Sequence, residues 1–345
     1  MFGRFMNNYY YGKSGKGDFR KEDLPQNRRQ LFLDTLKTRL SGLCRINLMY
    51  MLIFLPAMIV MMFFFTNIIS NTSNLMIMEE NDYASYAEMV KENGQEVAVT
   101  EEQYNELRNS GINAGDLMDN ELFRMLVWLI PCLAITGPFT AGLSYVTRNW
   151  ARDEHAFIWS DFKDAVKENW KQALVLSAIT SILPLAGYVG WKFYGNLSAQ
   201  DIIMIVPQVL VVLVVIIWSI SITYMHPLTV TYKLKTKDII RNGLLLGVAR
   251  LPMSVGIRLL HCVPALIGAA LIWFWNPMIG MLILFAYYAL IGFAISRFIT
   301  ASYTNAVFDR FINPRIEGAK VNQGIYTPEE DEDEENADAE GETDN

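Results

Sequence analysis

The sequence predicts an all-α, polytopic membrane protein with six transmembrane helices, cytoplasmic amphipathic helices and a small external helical segment. Three observations predict it. Of the 345 residues 52% are hydrophobic, and they gather in six long runs. Threading the chain through a bilayer along those runs leaves 25 of the 29 Lys and Arg on one side. Between the runs lie segments with apolar stripes at helical spacing.

Lipid gives the backbone no hydrogen-bond partner, so a crossing segment must satisfy itself, and roughly 20 residues of helix span the hydrocarbon. The six runs are 46–70, 122–147, 173–195, 202–224, 255–275 and 278–297. An even number places both termini on one side, and the Lys/Arg excess makes that side cytoplasmic. No cleavable signal peptide is read, because 45 polar, basic residues precede the first run. Cys44, Cys132 and Cys262 form no CxxC pair, which argues against a disulfide framework or a zinc site.

Residues 1–45 form a basic cytoplasmic region. Its aromatic, glycine-punctuated start leads into RRQLFLDTLKTRLSGL, a helical stretch expected to lie along the membrane face. Within that start, YYYGKS resembles the end of a phosphate-binding loop, but Asn7 stands where the loop needs glycine and no strand precedes it. A turn is the reading, and nucleotide hydrolysis is not supported. Residues 71–121 are external and carry twelve Asp/Glu against two Lys/Arg. YASYAEMVKEN and TEEQYNELRNSG there are helical in pattern, yet too poor in apolar residues for a core of their own, so a small cap on the membrane domain is expected.

The second run ends in small residues, Gly137, Ala141 and Gly142, that permit close helix packing, with Pro138 as a kink. Residues 148–172 then read as an amphipathic helix capped by Ser160 or Asp161. Trp159, Phe162, Val166, Trp170 and Ala173 share one side, with Lys163, Asp164, Lys167, Glu168 and Lys171 on the other. This helix is expected to lie on the inner leaflet and turn into the third span, anchored by Trp150, Trp159 and Trp170. Residues 225–254 are a cytoplasmic connector. Residues 298–345 are a cytoplasmic tail, disordered and acidic over 328–345, with eleven Asp/Glu in its last 17 residues. The odd-numbered spans carry Pro56, Pro184 and Pro264, each followed by aromatics suited to an outer interfacial belt. A repeat of three hairpins and ordinary membrane-helix composition both explain that pattern.

Chemistry inside the membrane is sparse. No Asp or Glu lies within a span, which counts against proton-coupled transport. Arg258 sits near the inner surface with His261 deeper, read as a hydrogen-bonded core histidine rather than a metal ligand with Cys262. There are three histidines in all, and no HExxH, GxSxG or glycine-rich nucleotide loop. Asp153, Glu154 and His155 read as a charged interfacial turn before an acid–base site. No catalytic residue, cofactor, metal or nucleic-acid partner is assigned, the lipid bilayer is the one partner read from the residues, and the oligomeric state is not legible.

GPFTAGLSYVTRNWARDEHAFIWSDFKDAVKENWKQAL closely resembles the signature of the YesL family of bacterial integral membrane proteins, a domain of unknown function (624). HPLTVTYKL, GLLLGVARLP and TNAVFDRF look like its later landmarks, and the similarity spans roughly Gln30–Phe311. The resemblance implies a bacterial cell membrane protein. Because genes of that family neighbour carbohydrate-uptake ABC transporters and glycan-degrading enzymes, it also implies a non-enzymatic accessory role in sugar import or its regulation, with ABC transporter subunits as partners. The candidate docking or signature residues are then Gly137, Pro138, Arg148, Arg152, Glu154, Trp159, Asp161 and Phe162. Arg148, Arg152 and Glu154 would make charged contacts on a shelf set by Trp159 and Phe162. Two other readings stand beside it. One is a small-solute channel or transporter, hinged at Pro138 and Pro227 and lined by Thr136, Thr140, Ser144, Ser219 and Thr223. The other is a membrane-embedded enzyme around Asp153, Glu154 or His155.

Overall fold

A computed structural model describes residues 24–326 apart from 93, 95, 98 and 110–113. The YYYGKS stretch and the acidic tail lie outside the described residues. What is described is helical, with no strand.

Helix α1, Arg28–Glu80, runs 53 residues, about 80 Å at 1.5 Å per residue and far more than a bilayer needs. Asn27 caps it, its side chain accepting from the Gln30 N–H. RRQLFLDTLKTRLSGL is the start of this helix, not a separate helix on the membrane face. No proline interrupts it before Pro56, and its apolar stripe is covered by protein rather than by lipid. Leu43 and Ile46 are fully buried in one core with Trp150 and Phe298, and Phe32 stacks on Phe298 with ring centres 5.1 Å apart.

At the other end of α1, α2 (Tyr83–Glu92) and α3 (Glu101–Asn109) form a small cap. Tyr86 and Tyr104 bury against Met78, and the Tyr104 hydroxyl donates to the Met78 carbonyl at 2.9 Å. Two buried tyrosines therefore supply most of what a short acidic segment lacks in apolar side chains.

Helices α4 (Ala114–Trp150) and α5 (Ser160–Ser198) pair as a long hairpin. The amphipathic segment after Ser160 is continuous with the third apolar run. Phe162, Ala165, Ala173, Leu176, Ser177 and Ser181 form one buried stripe across both, so the segment extends the hairpin instead of lying flat. After a short turn capped by Asp201 come α6 (Ile205–Thr231), α7 (Thr236–Ala249) and α8 (Leu251–Phe274). Helix α9 (Pro277–Tyr287) passes through a π-helical turn, Tyr288–Gly292, into α10 (Phe293–Phe311). The first seven residues of the expected connector, 225–231, belong to α6, and ten consecutive residues from Ile220 to Thr229 are buried there.

Among the described residues six helical segments are long and apolar enough to cross a membrane: Arg28–Asn71, Gly115–Trp150, Ser160–Ser198, Ile202–Thr231, Leu251–Phe274 and Met278–Arg315. Most of their apolar surface is uncovered by protein, as a lipid-facing surface would be. Trp273, Phe274 and Trp275 stand almost free at 83%, 85% and 65% exposure. Burial concentrates at the end bearing the α4–α5 turn. One core joins α1, α4, α5 and α10 through Leu43, Leu143, Phe162 and Phe298, and a second joins α5, α6, α7 and α10 through Leu176, Met225, Ile239 and Phe308.

Candidate functional site: a charged latch at the α4–α5 turn

The hairpin is tight because two glycines let it close. A Cβ on Gly137 would come within 2.3 Å of the Ala173 carbonyl oxygen, and one on Gly142 within 2.8 Å of the Phe162 carbonyl. Pro138 sits inside an uninterrupted α4. Trp150 ends that helix, 2% exposed. Its ring lies where a Cβ on Gly42 would meet it at 3.0 Å, so it anchors the protein core rather than a membrane interface.

The turn is built from 151–159. Asp153 adopts a left-handed backbone (φ 57°), a conformation that aspartate tolerates better than most residues. Helix α5 begins without a side-chain cap at Trp159, and Asp161 instead reaches back to accept the Phe157 N–H at 2.8 Å. That bond sets the entry angle of α5. Phe162 is buried in the core, whereas Trp159 is 65% exposed and Trp170 47%, so these residues do not form one covered face.

Arg152 of the turn points inward, and Glu154 pairs with it. Arg152 donates from Nε to Glu154 at 3.0 Å and from Nη2 to the Lys320 carbonyl at 3.3 Å, and its Nη1 lies 3.6 Å from Asp309. Arg148 stands 3.8 Å from the other Glu154 oxygen. Asp309, on the last turn of α10, also pairs with Arg28 at the start of α1, accepts from Asn313, and accepts the Asn322 N–H at 3.2 Å. One buried carboxylate thereby joins the N-terminal helix, the α4–α5 turn and the segment after α10. Gly324 closes the arrangement, since with φ 82° its Cβ position lies 2.8 Å from the Arg152 carbonyl. The Tyr232 hydroxyl donates to Asn313, and burial, with the Asp309 charge beside it, pushes this phenol up to about 12. Glu154 is committed to two arginines, while Asp153 and His155 are exposed, His155 resting edge-on against Phe157.

Residues 120–191 match the family model described as "Protein of unknown function, DUF624". The resemblance to this family is carried by those residues. This is the YesL-type membrane protein family, and the matched residues are the α4–α5 hairpin with its turn and glycine contacts. HPLTVTYKL, GLLLGVARLP and TNAVFDRF lie beyond the matched residues. No significant match to a curated protein or to a solved structure is found.

Sequence reasoning placed Arg148, Arg152 and Glu154 together but missed what they bind. Asp309 was legible only as part of TNAVFDRF. Its partner Arg28 is 281 positions away, so no local spacing links them. Asn47 was missed as well. Fully buried in α1, it donates to the Tyr288 and Ala289 carbonyls at 2.8 and 2.7 Å and accepts the Ala294 N–H at 2.9 Å. It thus holds open the π-helical turn. The signal was a single amide side chain at the start of an apolar run. Of the residues expected to line a solute path, Thr136, Thr140 and Ser144 donate their hydroxyls to carbonyls of their own helix, and Ser219 faces outward.

Proposed function

We propose that this multi-pass DUF624 protein is a non-enzymatic accessory component whose cytoplasmic end docks a protein partner, namely a carbohydrate ABC transporter or its regulator. The supporting observation is the surface of the first turns of α5. Lys163, Asp164, Lys167, Glu168 and Lys171 are exposed there beside exposed Phe157, Trp159 and Trp170. Mixed charge around free aromatics suits an interface. The base beneath is fixed by the Arg152–Asp309 latch, so Arg148, Arg152 and Glu154 act as foundations and the α5 charges make the contacts. The side assignment follows from the Lys/Arg distribution, and the partner class from the gene neighbourhoods of the family that the chain resembles. A channel or carrier draws less support, because three of its five expected lining hydroxyls, those of Thr136, Thr140 and Ser144, are spent on their own helix backbone and Ser219 faces outward.

Affinity purification of the full chain from native membranes after lysine crosslinking tests the proposal. Transporter subunits recovered with the wild type and lost with Lys163→Glu/Lys167→Glu/Lys171→Glu support it. Recovering no transporter component, with or without sugar in the medium, overturns it.

A further inference from the structure

The membrane-embedded bundle contains a second group of charges, and among the described residues these have no carboxylate. Arg258 on α8, Arg297 on α10 and His226 on α6 lie along the seam where these three helices meet, which the Tyr224 hydroxyl ties together by bonding Ser254, one turn before Arg258, at 2.6 Å and Tyr303 of α10 at 2.8 Å. Neither arginine enters an ion pair among the described residues. Arg148 and Arg152, by contrast, each have a carboxylate within 4 Å. The Nε of Arg258 and the Nδ1 of His226 are buried with no hydrogen-bond partner among the described residues, as is the Thr223 hydroxyl one turn before His226. His226 itself is 3% exposed. His261 bonds through Nε2 to the Ser296 carbonyl at 3.1 Å, which ties α8 to α10 at the residue next to Arg297.

The depth of the group is informative. Arg258 is seven residues into α8, roughly 10 Å from its start at 1.5 Å per residue, and Arg297 is twelve residues before Asp309, about 18 Å by the same measure. Guanidinium groups stay protonated at any physiological pH. Two of them in one seam between membrane-embedded helices repel each other, and charges withdrawn from water are otherwise paired. Three unused buried donor or acceptor atoms beside them leave the constellation one negatively charged partner short.

We propose that Arg258, Arg297 and His226 form a binding site for a single oxyanion, a phosphate or carboxylate group, within the bundle on the side of the α4–α5 turn. Planar guanidinium forks match such oxygens in pairs, which an ammonium does not do. The anion neutralises the two arginines and occupies the free nitrogens of Arg258 and His226. An anionic lipid headgroup and a soluble anion share this chemistry, and the site is independent of the docking surface on α5.

The test uses the full chain in phosphatidylcholine nanodiscs. Saturable thermal stabilisation by inorganic phosphate, relative to equal ionic strength of chloride, identifies a soluble anion. Selective retention of phosphatidylglycerol over phosphatidylcholine in native mass spectrometry identifies a lipid. Either outcome is expected to weaken at least tenfold in Arg258→Gln and in Arg297→Gln, and to persist in Arg241→Gln, which removes an exposed arginine of α7. If the arginine variants do not accumulate, His226→Ala replaces them in the same measurement. Wild-type protein that neither responds to phosphate nor retains phosphatidylglycerol overturns the proposal, as does undiminished binding in the variants.

Discussion

Arg152 and Asp309 face each other 3.6 Å apart, the guanidinium 7% and the carboxylate 3% exposed, across 157 residues of chain. A buried ion pair is weak evidence of net stabilisation, but removing one partner leaves uncompensated charge and typically costs about 3–5 kcal/mol. Asp309→Ala removes the carboxylate shared by Arg28 and Arg152, leaving Arg152 with Glu154 and Arg28 with Asn322, so a loss toward the lower end of that range is expected, read as a lower unfolding temperature of the detergent-solubilised chain. Arg152→Met is expected to cost less, because Asp309 retains Arg28, Asn313 and the Asn322 N–H.

The glycines predict opposite outcomes at two positions. At Gly137 any Cβ meets the Ala173 backbone oxygen at 2.3 Å, and a backbone atom cannot move aside alone. Gly137→Ala should force α4 and α5 apart and cost about 1–3 kcal/mol as an overpacking change. Gly256, inside α8, has nothing within 4 Å of its Cβ position. Gly256→Ala should be neutral or stabilising by up to about 1 kcal/mol through helix propensity. Expression level and thermal unfolding of the two variants, measured side by side, decide it.

These contrasts show where the sequence was readable. Apolar runs dictate helices of membrane length wherever they occur, so the six spans were legible from composition and spacing alone. Gly137 and Gly142 were legible as packing residues because only small side chains let helices approach. The flat amphipathic helices were not realised, because an apolar stripe does not say whether lipid or protein will cover it. In α1 and α5 the stripe meets Trp150, Phe298 and Gly142. Arg148, Arg152 and Glu154 looked outward for the same reason. Arg148 and Glu154 pair within the turn, but the further partners of Arg152, Asp309 and Lys320, come from the far end of the chain, and pairing at that separation leaves no local pattern.

Asn47 predicts a local rather than a global effect. Its amide satisfies two carbonyls and one N–H around the π-helical turn. Asn47→Leu leaves those buried groups unpaired, each at about 1–3 kcal/mol, unless Tyr288–Gly292 rewinds to regular helix. Amide hydrogen exchange should accelerate across 286–296 in this variant while α4 and α5 keep wild-type protection. Unchanged exchange in 286–296 would show that the turn is held by its own backbone.

Tyr232 predicts a pH window. Its phenol is raised to about 12, first by burial and then by the Asp309 charge, against about 10 in an unfolded chain. The fold therefore favours the protonated hydroxyl, which donates to Asn313. A group with a raised folded pKa contributes stability that is complete below its unfolded value and is lost as pH rises through the folded one. Wild-type stability should thus carry a Tyr232 contribution that is constant up to about pH 9 and falls between roughly 10 and 12. Tyr232→Phe cannot ionise, so it should start lower, having lost the hydrogen bond, and decline less steeply in that interval. Because other tyrosines and lysines also titrate there, the measurement that counts is the difference between the two unfolding profiles. A difference that stays flat from pH 9 to 12 would mean that the Tyr232 hydroxyl does not hold Asn313 in the folded protein.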